Sequence, residues 1–438
     1  MTLPEPSATA RQPAPAAAPL STLSKLVVAA WMCACIAFPL AVFVPEGERP
    51  VSLMASVAVL AAVAIAVGIA YARRVPMAWR LMQACLVAVI FAAALWGDRW
   101  LFVGGSALFI GLYFLLYTRT VRSEFDIHAA PREVGVLLVL LGMCALLAIL
   151  RERFVEGRNL LDVATQFSGV GIMAVGMTMV IILGGIDLSI GSIVALSGCL
   201  ATLAIHYGDC SLAVAVVVAL AAGAGVGLVN GGLISGFRMA PFVITLGTMS
   251  MARSMAIVVT GAQQVTVTGC AAQEGLLAVA WSDTLWVPNA VWLMALTVLA
   301  GDVFLRFTRT GRHIYYIGAN EEAARLSGLN ITRIKWGVYA FCGVMAGLAG
   351  IVQASRVATG QPSAGMGDEL RVIAAVIIGG ASFTGGVGTV LGALLGAAIM
   401  GVLRQGLVVL GVDANWQPFV EGGVIIGAVA LDMLRRRR

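Results

Sequence analysis

Residues 184–198 read GGIDLSIGSIVALSG, directly after a sixteen-residue stretch (168–183) that carries no formal charge. A glycine pair followed by a lone carboxylate, Asp187, is an expensive insertion in so apolar a run. Inside a bilayer every backbone amide must find a partner within the protein, so an ionisable group at depth marks a helix terminus or an internal cavity. The reading of this stretch therefore turns on whether the surrounding chain lies in a membrane.

Composition answers that. The chain has 438 residues, 60% hydrophobic and 11% charged, and a mean hydropathy of +0.96, far from the balance of a soluble domain. Repeated apolar runs of about 17–25 residues predict helical spans, and the ten-residue alternation of an outer-membrane barrel is missing. The expected fold class is all-α, a polytopic transmembrane helical bundle. Ten core spans are predicted near 134–150, 164–184, 190–206, 211–236, 242–260, 287–306, 337–354, 371–384, 388–411 and 418–434. Four further amino-terminal spans are predicted near 26–44, 51–71, 79–96 and 101–117. Residues 1–25, rich in Pro and Ala, read as a disordered cytoplasmic tail, 26–130 as an additional transmembrane region, and 131–438 as the core. The run 26–44 has no small-residue cleavage site and reads as a retained helix.

Charge orients the spans. Arg73, Arg74 and Arg80 share one short loop, Arg119, Arg122 and Arg132 another, and 306–335 holds six basic residues against two acidic ones. The positive-inside bias puts all three loops and the Arg435–Arg438 tail in the cytoplasm, with both termini inside. The same bias accounts for the formal net charge of +6, so nucleic acid is not implied. The loop 151–159, with Arg151, Arg153 and Arg158, fits less well outside. Cys210 and Cys270 fall in outer loops, where a disulfide and two free thiols are both open alternatives.

Glycine punctuates the core twice. VIILGGIDLSIGSIVALSG (180–198) and AVIIGGASFTGGVGTVLGALLG (375–396) share Ile-Ile, Gly-Gly and a following small-residue helix. An inverted repeat with broken or re-entrant helices is one reading. The span count, with five crossings between the two segments, instead has them run the same way. Gly223, Gly227 and Gly231, and Gly388, Gly392 and Gly396, recur at four-residue spacing and predict close helix packing.

Catalytic chemistry finds no footing. The only lysines, Lys25 and Lys335, follow Ser24 and Ile334, so no phosphate loop of the G-x-x-x-x-G-K-[ST] type is present. There is no H-E-x-x-H and no cysteine pair at zinc spacing. The expectation is a chain that is not an enzyme and binds no cofactor. An ion-coupled secondary transporter is a rival class, although it would call for more buried carboxylates than Asp187.

The most informative polar segment is 308–336. Asn320 suits a helix N-cap, Glu321 and Glu322 its positive end, and Gly328 the left-handed position that ends it. So short a helix needs a partner or a membrane surface to hold it. Ala323, Ala324, Leu326 and Leu329 are the predicted apolar contacts, and Arg325 the polar one.

Taken together, AVGMTMVIILGGIDLSIGSIVALSG (174–198), NGGLI (230–234), PFVITLGTM (241–249), GRHIYYIGANEEAARLSGLNITRIK (311–335), SRVATGQPSAGMGDEL (355–370), IAAVIIGGASFTGGVGTVLGALLG (373–396) and Asp432 resemble the membrane permease of bacterial ABC importers of the ribose, xylose and galactose type. The resemblance implies a bacterial inner-membrane protein that passes a monosaccharide inward. It implies a second permease copy, cytoplasmic ATPase subunits that hydrolyse the ATP, and a periplasmic sugar-binding protein. It also implies that the segment from Gly311 through Asn320, Glu321, Glu322, Ala323, Ala324, Arg325, Leu326 and Gly328 docks into the ATPase. The expected pathway or gate residues are Gly184, Gly185, Asp187, Ser189, Asn230, Thr245, Gln361, Ser363, Gly379 and Gly380.

Three features depart from the family pattern. Arg371 follows Glu369 and Leu370 where an aspartate is usual, which would put a cation near the outer mouth. Arg404 and Gln405 precede Gly406 where an asparagine is common, and the first 130 residues have no counterpart in shorter members. For Asp187 two readings stand: a cap for a helix starting at Leu188 near the cytoplasmic surface, accepting from the Ser189 or Ile190 amide, or a polar spot beside the path at a broken helix.

Overall fold

The structure is a computed structural model that describes Ser106 and residues 132–436, except 152, 153 and 155. The readings on residues 1–25 and 26–130, with the four additional spans, lie outside the described residues.

Ten helices occupy the ten predicted core spans: α1 (Arg132–Leu150), α2 (Gly157–Ile182), α3 (Ile190–His206), α4 (Leu212–Gly236), α5 (Pro241–Thr260), α7 (Asn289–Phe307), α10 (Ile331–Val357), α11 (Asp368–Ile378), α12 (Val390–Val409) and α13 (Gln417–Arg436). Seven of them, α1, α2, α4, α5, α7, α10 and α12, are long and apolar enough to cross a membrane. The 17 residues of α3 rise about 25 Å, just short of a hydrocarbon core. Between the spans sit α6 (Gln273–Trp281), α8 (Arg309–Ala319) and α9 (Glu321–Leu326). Neither α6 nor α8 is predicted from sequence, because both lie in stretches too polar or too short for a span.

At 371–384, a run short for a full crossing, the broken-helix alternative holds and the full span does not. Its helix, α11, has 11 residues and stops at the glycine pair, with Gly380 at φ +97°. Residues 361–367 lead into it without regular structure, so this is a broken crossing. Arg253 on α5 holds that lead-in by donating to the carbonyls of Pro362 (2.7 Å) and Ala364 (2.6 Å). Short antiparallel strands tie the same end together: β1 (Val265–Thr266) pairs with β4 (Thr359–Gly360), and β2 (Asp283–Thr284) with β3 (Val287–Pro288). Arg158 reaches Asp283 of that hairpin at 3.3 Å and Asp162 at 3.9 Å, which balances a cation of the awkward loop.

Two helices, α2 and α10, are mostly buried, whereas α1, α4, α5 and α7 leave most of their surface outside. Without a hydrophobic drive between helices in lipid, close approach has to come from small residues. The α4 glycines supply it. A Cβ on Gly223 would overlap the Gly343 carbonyl of α10, and one on Gly227 would overlap the Tyr339 carbonyl. On the other side Gly392 and Gly396 of α12 lie against Gly379 and Ala375 of α11 in the same way.

The two glycine breaks meet. The Gly386 amide, in the turn after α11, donates to the Ile182 carbonyl at the end of α2 (2.8 Å). Because α2 and α11 end at the same place and their earlier residues, Gln166 and Arg371 among them, line one cavity, the two segments run the same way, as the span count requires. Cys210 and Cys270 are free thiols and no disulfide joins them; the Cys270 sulfur lies 3.9 Å from His206 Nδ1.

Candidate functional site

The expected pathway residues divide into two places. The first is a buried polar hub at the break between α2 and α3. There α2 ends at Ile182, Gly184 takes φ +85°, and α3 starts only at Ile190. A Cβ at position 185 would meet the Tyr339 hydroxyl, so a larger residue there would have to displace that side chain. Asp187 Oδ1 accepts from the Ser189 amide (2.9 Å), the Ser189 hydroxyl (2.6 Å) and Asn230 Nδ2 (3.4 Å). Asn230 also donates to Ser189 Oγ (2.9 Å) and accepts from the Thr248 hydroxyl (2.6 Å). Thr245 donates to the Pro241 carbonyl of its own helix (2.9 Å) and points at the Ile186 carbonyl (3.4 Å).

Asp187, Ser189, Asn230 and Thr245 are fully buried. Asp187 accepts from the Ser189 amide, as the cap reading expects, but the helix begins at Ile190 with Ser189 at the N-cap position, and the carboxylate is buried in the interior. Asp187 Oδ2 and the Tyr339 hydroxyl are both buried without a hydrogen-bond partner. Three helices and one break are thus locked by side-chain hydrogen bonds at a single point.

The second place is a cavity of about 710 Å³, bounded by α2, α10, α12, the 361–366 lead-in and the start of α13. Gln361 and Ser363 line it; the Asp187 hub, Gly379 and Gly380 do not. Its other polar lining includes Gln166, Gln353, Arg356, Arg404 and Gln405. Gln166 and Gln353 were legible in principle, since an amide inside an apolar helix turns inward. Arg371 is corrected from a bare cation: it bridges Asp368 Oδ1 (2.9 Å) and Glu421 Oε2 (2.8 Å).

The polar segment after α7 forms a pair of capped helices. Thr308 Oγ1 accepts from the Gly311 amide (3.0 Å), Asn320 Oδ1 from the Ala323 amide (2.9 Å) and Asn330 Oδ1 from the Arg333 amide (3.0 Å), capping α8, α9 and α10. Gly328 closes α9 at φ +79°. Gly311 is buried against the carbonyls of Phe304 and Leu305. Glu321 pairs with Lys335 (2.8 Å) and Arg325 (3.3 Å). One expectation is corrected: Ala324 is buried and Leu329 packs on the core, so neither faces outward. Glu322, Ala323, Arg325 and Leu326 remain exposed, Leu326 at 86%. From α8, Gly318 reaches the glycine breaks, and a Cβ on it would overlap the Ile182 carbonyl oxygen and crowd the Gly386 amide.

A multi-pass helical bundle with a polar cavity at one end and capped, exposed helices at the other is the architecture of a membrane permease. The family described as the permease component of branched-chain amino acid transport systems matches residues 159–429. The chain belongs to this family of ABC-importer permeases. It is 42% identical over 319 residues to the ribose import permease protein of Escherichia coli (strain K12), covering 72% of this chain and 98% of that protein. It is 38% identical over 317 residues to the ribose import permease protein of Bacillus subtilis (strain 168), covering 72% and 97%. To the L-arabinose ABC transporter permease protein of Azospirillum brasilense it is 34% identical over 317 residues, covering 72% and 92%. No solved structure matches.

Proposed function

We propose that this chain forms the path of an ATP-driven importer for a small monosaccharide such as ribose, xylose or galactose. It works as a pair of copies, with ATPase subunits on the cytoplasmic side and a sugar-binding protein on the periplasmic side. Both termini are cytoplasmic, and ATP is bound and hydrolysed by the partner subunits. The named relatives carry sugars and favour this over an ion-coupled transporter.

One observation carries the mechanism: Gly318 of α8 sits in backbone contact with Ile182 and Gly386 at once. The exposed face of α9 takes the ATPase's movement, and α8 passes it to the two glycine breaks without an intervening side chain to absorb it. Those breaks end α2 and α11, which line the cavity further along. Moving them re-aims the cavity between the two sides, a rocking of packed elements with two arrangements. The cavity volume lies in the range of small-molecule sites, about 300–1,000 Å³, and the amides of Gln361, Gln353 and Gln166 and the hydroxyl of Ser363 suit a polyhydroxylated solute held weakly enough to release.

The test is co-purification with the partner ATPase after mild detergent extraction. The wild-type chain should retain the ATPase; Arg325→Glu, which sets a second carboxylate beside Glu321, and Leu326→Asp, which alters only an exposed side chain, should lose it. Retention by both variants would take the docking role away from α9.

A further inference from the structure

The cavity has more positive charge than a path for neutral sugars requires. Five charged side chains line it: Arg356, Arg371, Arg404, Asp368 and Glu421. Both carboxylates are engaged by one guanidinium, that of Arg371. Arg356 and Arg404 are left with no ion pair among the described residues. Arg356 makes one long bond, Nη1 to the Gln166 carbonyl at 3.4 Å, and its Nε is buried with no partner. Arg404 is exposed and lines the cavity, makes no hydrogen bond among the described residues, and its charge opposes that of Arg356, which the Asp368 carboxylate offsets in part.

Two guanidiniums that line one protein-walled cavity leave fork-shaped donor sets unused. A buried donor without a partner, as at Arg356 Nε, is costly, and an anion received by both side chains would answer it. Guanidinium is the side chain whose donors match carboxylate and phosphate oxygens two at a time. The glutamines of the same wall already supply what hydroxyl groups need.

On the reading that this cavity is the transport path, we propose that its solute is an anionic monosaccharide, a sugar bearing a carboxylate or phosphate, with Arg404 and Arg356 as the groups that receive the negative charge.

The experiment compares three probes that differ only at C6: D-galactose, D-galacturonate and D-galactose 6-phosphate, titrated calorimetrically against the full chain in lipid nanodiscs. One or both anions should bind about tenfold more tightly than galactose, the lower end for hydrogen bonds to charged groups, and raising the salt should weaken only the anions. Which anion gains shows whether carboxylate or phosphate is preferred. Arg404→Gln should abolish the preference by weakening the anions far more than galactose, while Arg404→Lys should keep part of it. Galactose binding as tightly as both anions, or a preference that survives Arg404→Gln, overturns the proposal and leaves the sugar-path reading intact. Absence of saturable binding for all three probes overturns both.

Discussion

Asp187 uses one oxygen for three donors and leaves the other unanswered within a fully buried hub. Its neighbours depend on it in turn: Asn230 joins it to Thr248, so α3, α4 and α5 meet at one amide. Asn230→Ala removes the donor to Asp187 and Ser189 and leaves Thr248 only the carbonyls of its own turn, and should lower the stability of the purified chain by about 1–3 kcal/mol, read from its melting temperature in detergent. Asp187→Asn keeps an acceptor at Oδ1, so membrane insertion should be normal. Uptake should fall by about tenfold, equivalent to ~1.4 kcal/mol in the barrier, because the amide puts a donor where the carboxylate has its unpartnered second oxygen. Unimpaired uptake by that variant would leave Asp187 with a tethering role alone. Sequence made Asp187 conspicuous, since a charge amid sixteen uncharged residues stands out. Thr248 was invisible, because a threonine in an apolar helix ordinarily bonds its own turn and only the fold brings Asn230 to it.

At the level of elements, α8 is the part that local pattern concealed. Its sequence, RTGRHIYYIGA, is mixed in polarity and short, so it reads as loop; its helix is held by the Thr308 cap and by burial of Ile314 and Ile317. The smaller α9 was legible because its cap, acidic first turn and terminal glycine are all written in consecutive residues. Gly318 gives the sharpest test of transmission. Gly318→Ala forces a methyl group into backbone at Ile182, an overpacking that costs about 1–3 kcal/mol. In proteoliposomes the complex should keep its ATPase subunits while transport per ATP hydrolysed drops; an unchanged ratio would mean the motion enters elsewhere. The half-length of α11 was foreseeable from its short apolar run, and the glycine pair that ends it does so because Gly380 takes a left-handed turn.

For the molecule as a whole, orientation is the claim on which the others rest. The β2–β3 hairpin and the α9 segment lie at opposite ends of α7 and α10, so impermeant reagents should distinguish them. In a background with the native cysteines changed to serine, a membrane-impermeant maleimide should label Ser282→Cys in intact cells and Ser327→Cys only after permeabilisation. The reverse pattern would place the docking helix outside and end the importer reading.

The amino-acid sequence by itself pointed to the membrane class, the core segments, the two glycine breaks and the short capped helix at 320–328. These depend on hydropathy over a span's length, on glycine, and on caps made within a few residues. Only the tertiary structure decided that the two breaks touch, that Arg371 is paired with two carboxylates while Arg356 and Arg404 form no ion pair among the described residues, and that Asp187 lies apart from the cavity holding Gln361 and Ser363. Pairings such as Gly386 with Ile182, or Arg371 with Glu421, join residues far apart in the chain, and the energy of a charge depends on neighbours that no local window contains.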